Sequence, residues 1–242
     1  MMKVIGRLAA RNESVRSERP VVIACLGDSV THGCFDLFVD AKDQFIPHHM
    51  PDQGYVAKLG RKLNELFPVA AVTMLNAGIS GDGSAGGLQR LERDVLSFHP
   101  DLVIVNFALN DSMGGEAGVE KYAANMREIF RRILSSGAEA LLLTPNFMCS
   151  YVPHTVVGAN LTKIAQEAAK VQNEGILTKY VEAARAAAAE LNVPVADAYR
   201  RWEKMKEAGV DTTLLLSNGI NHPTVEMHDL FVEEIMRTVF EA

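Results

Sequence analysis

A serine and a histidine are the two side chains of this sequence best suited to nucleophilic catalysis. Ser29 follows Gly27 and Asp28 at the end of a short apolar run, where a tight turn would present its hydroxyl. His222 lies directly before Pro223, which suits the first turn of a final helix, and its imidazole can serve as a general base. A lone Gly-Asp-Ser tripeptide more often caps a helix than attacks a substrate, so the other motifs decide the assignment.

Two further loops carry amides that could stabilise a developing oxyanion. Segment 76–84 is rich in glycine, which lets backbone N–H groups crowd around a negative charge. Asn110 follows another apolar run, and its side-chain amide is a second donor. Segment 76–84 lacks the spacing of a phosphate-binding loop. A nucleotide-binding α/β domain is therefore the weaker alternative, which the fold alone permits.

Five short apolar runs alternate with segments that have the periodicity of amphipathic helices. Such runs, bounded by Gly, Pro or polar residues, are typical of strands buried on both faces. They cover residues 21–26, 70–75, 102–107, 138–143 and 193–196. The helical segments cover residues 55–67, 88–98, 122–134, 161–191 and 225–240. The alternation predicts a three-layer α/β/α sandwich around a central parallel sheet of about five strands, with ligands bound at the carboxyl ends of the strands.

The composition is that of a globular protein and does not indicate a polymeric partner. Of the 242 residues, 48% are hydrophobic and 22% are charged, which allows a large buried core. No linker divides the chain, so we expect one domain over residues 20–242 after an N-terminal extension over residues 1–19. The net charge of −6, without a basic block, disfavours a nucleic acid or an anionic membrane surface as partner.

Several missing signals bear on location and cofactors. No apolar run approaches the ~20 residues that cross a bilayer, which predicts no membrane insertion. The three cysteines show neither zinc-site nor C-x-x-C spacing, and residues 1–20 lack the apolar stretch of a secretory signal, so we expect a cytoplasmic protein. His48 and His49 have no further ligands at recognisable spacing, so we assign no metal and no cofactor. The sequence does not indicate an oligomeric state.

The sequence resembles the SGNH hydrolases, also called the GDSL esterase family, in four blocks. They are residues 27–30, residues 76–81, Asn110 with Asp111, and His222 with Pro223, and they occur in the family's order. The resemblance implies a flavodoxin-like fold, with Ser29 as the nucleophile and His222 as the base. It also implies an oxyanion hole made by the backbone N–H groups of Ser29 and Gly81 and the amide of Asn110.

The acidic residue that usually completes this family's triad is missing. It stands three or four residues before the histidine, where this sequence has Gly219 and Asn218. The Asn218 carbonyl could accept the imidazole N–H and orient the ring without supplying a negative charge. The alternatives are a Ser-His dyad held by a backbone carbonyl, and a more distant acid, Asp197. Val30 and Ala108 also depart from the family's usual Leu and Gly.

These residues together predict a serine esterase that needs no metal. We expect small carboxylic esters as substrates, acetylated carbohydrates among them, and the acyl length stays open. Loops 32–54, 112–118 and 146–160 carry aromatic and methionine side chains that could wall an acyl or sugar pocket. These are Phe35, Phe38, Phe45, Met113, Phe147, Met148 and Tyr151. The alternatives are a lysophospholipase-type acyl hydrolase and a non-catalytic sugar- or acyl-binding module that lost its acidic triad member.

Overall fold

A parallel β-sheet forms the centre of the protein, whose computed structural model describes residues 1–242. In chain order the strands are β1 (Val22–Gly27), β2 (Cys34–Val39), β3 (Phe45–His49), β4 (Thr73–Gly78), β5 (Leu102–Asn106), β6 (Glu139–Leu143) and β7 (Val195–Ala196). Five of them form the sheet in the order β4-β1-β5-β6-β7, and each neighbouring pair is parallel. Strands β2 and β3 form a separate antiparallel hairpin.

Helices cover the sheet in two layers. In chain order they are α1 (Lys3–Glu13), α2 (Ser29–His32), α3 (Tyr55–Leu66), α4 (Ser84–Asp94), α5 (Leu109–Ser112), α6 (Val119–Ser135), α7 (Ala159–Asn173), α8 (Ile176–Glu190), α9 (Ala198–Glu207) and α10 (Met227–Glu241). Helix α10 contacts α1 and α3 in one layer, and α6 contacts α4 and α8 in the other. These layers confirm the predicted three-layer α/β/α sandwich with five parallel strands. Helices cover the sheet because each parallel crossover requires a connecting element that runs over one of its faces.

The core lies between the sheet and the two helical layers. Every residue of β5 is buried, as are all residues of β1 except the first. Helix α6 shows why the helices dock, since Tyr122, Met126, Ile129 and Ile133 form one buried stripe at steps of three and four. Burying one such side chain stabilises the fold by about 1.5–3 kcal/mol. No helix has both the length and the apolar composition that a membrane crossing needs.

Three local features differ from the sequence-based expectation. Strand β4 begins at Thr73 instead of residue 70, because the chain still turns at Ala71, whose φ is 53°. The predicted long helix over residues 161–191 is two helices, since the chain turns at Gly175, whose φ is 71°. The hairpin of β2 and β3 lies in a segment that the sequence analysis treated only as a loop.

The N-terminal segment also departs from the expected extension over residues 1–19, because α1 packs into the core. Val4, Ile5 and Leu8 are buried in the same hydrophobic cluster as the central strands. The Glu139 carboxylate accepts the N–H groups of Lys3 and Val4, which have no partner within the first turn of the helix. The spacing of the three apolar residues on one helical face was the signal that the sequence offered.

Candidate active site

Ser29 lies at the carboxyl end of β1, where the chain turns into the one-turn helix α2. The Asp28 carboxylate caps this helix by accepting the Val30 N–H at 2.9 Å. Gly78, at the end of the neighbouring strand β4, has no room for a side chain, since a Cβ atom there would lie 2.2 Å from the His32 backbone nitrogen. The end of β4 therefore packs directly against the backbone of α2, the helix that carries Ser29.

The structure brings the side chains of Ser29 and His222 together. The His222 Nε2 atom lies 2.9 Å from the Ser29 Oγ atom, and both side chains are buried. On the other side of the ring, His222 Nδ1 lies 3.3 Å from the backbone carbonyl oxygen of Phe35. A carbonyl can only accept, so this contact assigns the proton to Nδ1. Nε2 then faces the serine hydroxyl with a free lone pair, which is the tautomer that a general base requires.

Asn218 does not contact the imidazole, which corrects its assignment as the third catalytic residue. Its side-chain oxygen accepts the backbone N–H groups of Ile220, Asn221 and His222, at 2.9, 2.9 and 3.0 Å. These bonds close the turn that carries His222, so the Asn218 oxygen is directed at its own loop. A short Asn side chain commonly makes such local backbone bonds.

Asp197, the other side chain considered for the third position, is engaged elsewhere. It caps α9 and accepts hydrogen bonds from the Thr144 hydroxyl, at 3.0 Å, and the Arg185 guanidinium, at 2.8 Å. Of the three acceptors considered for the imidazole N–H, the backbone carbonyl is the one within hydrogen-bonding distance, and it belongs to Phe35.

A β-bulge makes the Phe35 carbonyl available. Cys34 pairs with His49 and Asp36 pairs with His48, so Phe35 is an extra residue on β2 without a partner on β3. A bulged residue interrupts the ladder of backbone bonds locally and redirects its backbone groups. The sequence marked Phe35 only as an aromatic side chain of a possible pocket wall. The role of its carbonyl could not be predicted, because every residue carries a carbonyl and side-chain types do not reveal a bulge.

The three oxyanion-hole candidates lie at the carboxyl ends of β1, β4 and β5. The Ser29 N–H is at the start of α2 and has no acceptor within that helix. The Gly81 N–H makes no hydrogen bond within the chain. The Asn110 amide donates one hydrogen to the Asp82 carbonyl at 2.7 Å, which ties it to the Gly81 loop and leaves its second hydrogen available.

Arg90, which belongs to none of the sequence motifs, holds two of these strand ends in place. Its buried guanidinium donates to the carbonyls of Gly27, at 2.9 Å, and Ala77, at 2.6 Å. The same group donates to the Asp82 carboxylate at 2.7 Å. One arginine thus joins the end of β1, the end of β4 and the Gly81 loop, which a planar group with five donors can do.

Burial controls the ionisation of the two titratable groups beside Ser29. Burial lowers the pKa of His222 to about 4, against smaller raising effects of the Phe35 carbonyl and the Asp36 charge. The imidazole is therefore neutral at pH 7. Burial also raises the pKa of Asp28 to about 7, opposed by the hydrogen bond from the Val30 N–H, and its Oδ2 atom is buried without a partner.

His48 and His49 lie on β3 and face different partners. His49 Nε2 and His32 Nδ1 lie 3.0 and 3.1 Å from the Ser80 hydroxyl, next to the Gly81 loop. His48 Nδ1 lies 3.4 Å from the Asp36 carboxylate. The structure contains no group of three or more His, Cys, Asp or Glu side chains arranged to hold a metal ion.

The aromatic and methionine side chains expected around a pocket divide into two sets. Phe35, Phe147 and Met148 are buried and belong to the packing beneath the loops. The exposed set consists of Phe38, Phe45, Met113 and Tyr151. Two cavities lie near the site. One is a polar cavity of about 510 Å³ beside Gly81, and the other is an apolar groove of about 260 Å³ between β2 and residues 155–161.

An α/β/α fold with a serine–histidine pair at the carboxyl ends of its strands is typical of a serine hydrolase, and the comparison with known proteins gives the family. Residues 25–230 match the model of the GDSL-like lipase/acylhydrolase family. The chain therefore belongs to this family of hydrolases, as the four sequence blocks predicted.

One curated relative and several solved structures are similar to the chain. The chain is 34% identical to the esterase TesA of Pseudomonas aeruginosa over 105 residues. This aligned region is 43% of the present chain and 50% of TesA. The matched part thus spans half the length of that relative. A lipase/acylhydrolase from Enterococcus faecalis has a similar fold, with a TM-score of 0.64 and 24% identity over 89% of this chain and 95% of that one. The acetylxylan esterase Axe2 from Geobacillus stearothermophilus gives a TM-score of 0.67 and 18% identity over 90% and 94%.

Proposed function

We propose that this protein is a serine esterase that hydrolyses small carboxylic esters through an acyl-enzyme on Ser29. The observation that carries the proposal is the 2.9 Å contact between Ser29 Oγ and His222 Nε2 on a ring whose other nitrogen donates to a carbonyl. Membership of the GDSL-like lipase/acylhydrolase family supports the reaction class.

In the first half of the reaction, Ser29 Oγ bonds to the ester carbonyl carbon while its proton moves to His222 Nε2. The carbonyl oxygen becomes an oxyanion, which the N–H groups of Ser29 and Gly81 and the second amide hydrogen of Asn110 would bind. One such donor is worth about 3–4 kcal/mol of transition-state stabilisation in serine proteases. The tetrahedral intermediate then expels the alcohol, which takes the proton from Nε2.

In the second half, His222 Nε2 accepts a proton from water as the water oxygen attacks the acyl carbon. Collapse of the second intermediate returns this proton to Ser29 Oγ and releases the carboxylic acid. The Phe35 carbonyl keeps the ring oriented in both halves. It does so without ionising, so the imidazolium formed in each attack receives less stabilisation from it than from an aspartate.

Acetylated carbohydrates are the substrates that the polar cavity beside Gly81 favours. The cavity of about 510 Å³ that adjoins Gly81 is lined by polar and charged groups, including Ser80, Gln89 and Arg93, and has Ile79 as its only hydrophobic residue. Such a surface suits a hydroxyl-rich alcohol more than a lysophospholipid, which is the alternative. The similarity to an acetylxylan esterase is in keeping with this preference.

The test is hydrolysis of p-nitrophenyl acetate by wild type, Ser29→Ala and Ser97→Ala. Ser97 is exposed and bonds only to the Arg93 carbonyl, so its variant is a matched control. We expect loss of turnover by a factor of at least about 1,000 in Ser29→Ala and wild-type activity in the control. Equal measurable rates in all three proteins would reject Ser29 as the nucleophile, and no turnover above background in the wild type would favour a non-catalytic binding module. A series of acyl lengths and acetylated oligosaccharides then separates a carbohydrate esterase from a lysophospholipase.

A further inference from the structure

The hairpin of β2 and β3 makes a second contact with the loop that carries His222. Asp36, the residue after the bulged Phe35, accepts the Ser217 hydroxyl at 2.5 Å and lies 3.4 Å from His48 Nδ1. Ser217 in turn donates its backbone N–H to the His222 carbonyl at 2.7 Å. Two consecutive residues of β2 therefore contact the catalytic loop, one through its backbone and one through its carboxylate.

The difference between the neutral Phe35 carbonyl and the Asp36 carboxylate matters because the triad lacks an acid. The Phe35 carbonyl orients the imidazole but is neutral, and positions 218 and 219, where relatives of this sequence are expected to have the acid, hold Asn and Gly. Proton transfer from Ser29 creates an imidazolium in a buried site, where the charged form is disfavoured. A negative charge close to the ring would lower the cost of this step.

We infer that Asp36 is a positioning residue that supplies, from the hairpin, the negative charge that the His222 loop lacks. The inference rests on the proposed function and deepens its mechanism. Asp36 acts through space and through Ser217, and it does not touch the serine, the substrate or the transferred proton. The proton moves only between Ser29 Oγ, His222 Nε2, the leaving alcohol and water.

The charged groups that face His222 agree with this role. Asp36 on β2 is the acidic one, and its charge raises the pKa of His222 against the larger lowering by burial. His49 on β3 acts in the opposite direction when protonated, and His228 on α10 interacts with His222 in the same unfavourable sense. The Asp36 side chain is 25% exposed, so its effect is that of a partly screened charge.

The test compares three variants in the hydrolysis of p-nitrophenyl acetate over a range of pH. Asp36→Asn removes the charge and keeps an oxygen for the Ser217 hydroxyl. Ser217→Ala keeps the charge and removes the bond. Asp40→Asn removes one charge from the turn of the same hairpin, where the Asp40 carboxylate accepts only the backbone N–H groups of Lys42 and Gln44.

We expect kcat to fall roughly tenfold in Asp36→Asn, with KM changed by less than about twofold, because the base becomes weaker while the substrate contacts remain. The acidic limb of the kcat/KM profile should move to lower pH by roughly 0.5–1 unit. In Ser217→Ala the limb should stay in place, and Asp40→Asn should match wild type in both parameters.

Two results would overturn the inference. One is an Asp36→Asn profile that superimposes on wild type. The other is the same fall in kcat without a shift of the limb, since a merely structural role predicts that outcome. Circular dichroism and NMR titration of the His222 ring in Asp36→Asn separate misfolding from a true change in basicity. If the wild-type protein hydrolyses none of the esters tested, the proposed esterase function itself is refuted, whatever the role of Asp36.

Discussion

The pH dependence of stability in Asp28→Asn tests whether burial controls ionisation beside the nucleophile. Asp28 is 1% exposed, and burial raises its pKa from 3.8 to about 7. The folded protein therefore binds a proton more tightly at this site than the unfolded chain does. The associated stability is complete below pH 3.8 and is lost as the pH rises to about 7. A difference of about three pKa units corresponds to about 4 kcal/mol.

Asn at position 28 keeps an oxygen for the Val30 N–H and cannot ionise, so this variant lacks the pH-dependent loss. The buried amide NH2 takes the place of the unpaired Oδ2, which adds a constant cost of about 1–3 kcal/mol at every pH. The free energy of unfolding of the variant minus that of wild type should accordingly rise by up to about 4 kcal/mol between pH 4 and pH 8. Groups unaffected by the substitution cancel in this difference.

Urea denaturation at a series of pH values measures the difference directly. The fluorescence of Trp202, the single tryptophan, reports on the core because its side chain is fully buried. Far-UV circular dichroism should give the same midpoints if unfolding is two-state. A difference that is constant with pH, or that falls as the pH rises, would refute the reasoning that Asp28 is held close to neutrality by burial.

Two further predictions concern the base and the packing of the nucleophile helix. The kcat/KM profile for p-nitrophenyl acetate should keep its plateau down to an acidic limb near pH 4, because His222 can act as a base only while it is unprotonated. An acidic limb at or above pH 6.5 would contradict this expectation. Gly78→Ala should destabilise the protein by roughly 1–3 kcal/mol and lower activity by displacing Ser29, because the new Cβ would meet the backbone of His32 at 2.2 Å. Gly6→Ala, where a Cβ meets nothing within 4 Å, is the control and should be stabilising by about 0.5–1 kcal/mol in thermal or urea unfolding.

The parallel sheet could be predicted because its signals are local. Each strand is a short apolar run that must be buried on both faces, and each intervening helix shows an apolar stripe. The residues at which these strands and helices begin and end were less predictable. Strand β4 is shifted by the turn at Ala71, and the helix expected over residues 161–191 is divided at Gly175, because turns depend on backbone angles that an apolar pattern does not encode.

The site could be predicted only as far as side-chain chemistry indicates it. Ser29, Gly81 and Asn110 stand out because their types and their places after strands suit acyl transfer, and His222 stands out by its type and its place before the last helix. Asn218 was also chosen by type, and the structure shows its oxygen bound to the backbone of its own loop. A short polar side chain can satisfy either role, and only the folded loop determines which.

By itself, the sequence determined the layers of the fold and the order of the elements, and it indicated the serine and the histidine that the structure places side by side. The tertiary structure decided which group holds the imidazole, and that group is the Phe35 carbonyl, released by a bulge in a hairpin far from His222 in the chain. The physical reason is that side-chain types are written in the sequence, whereas a backbone carbonyl is common to every residue. Only the meeting of two distant segments makes one carbonyl different from the rest.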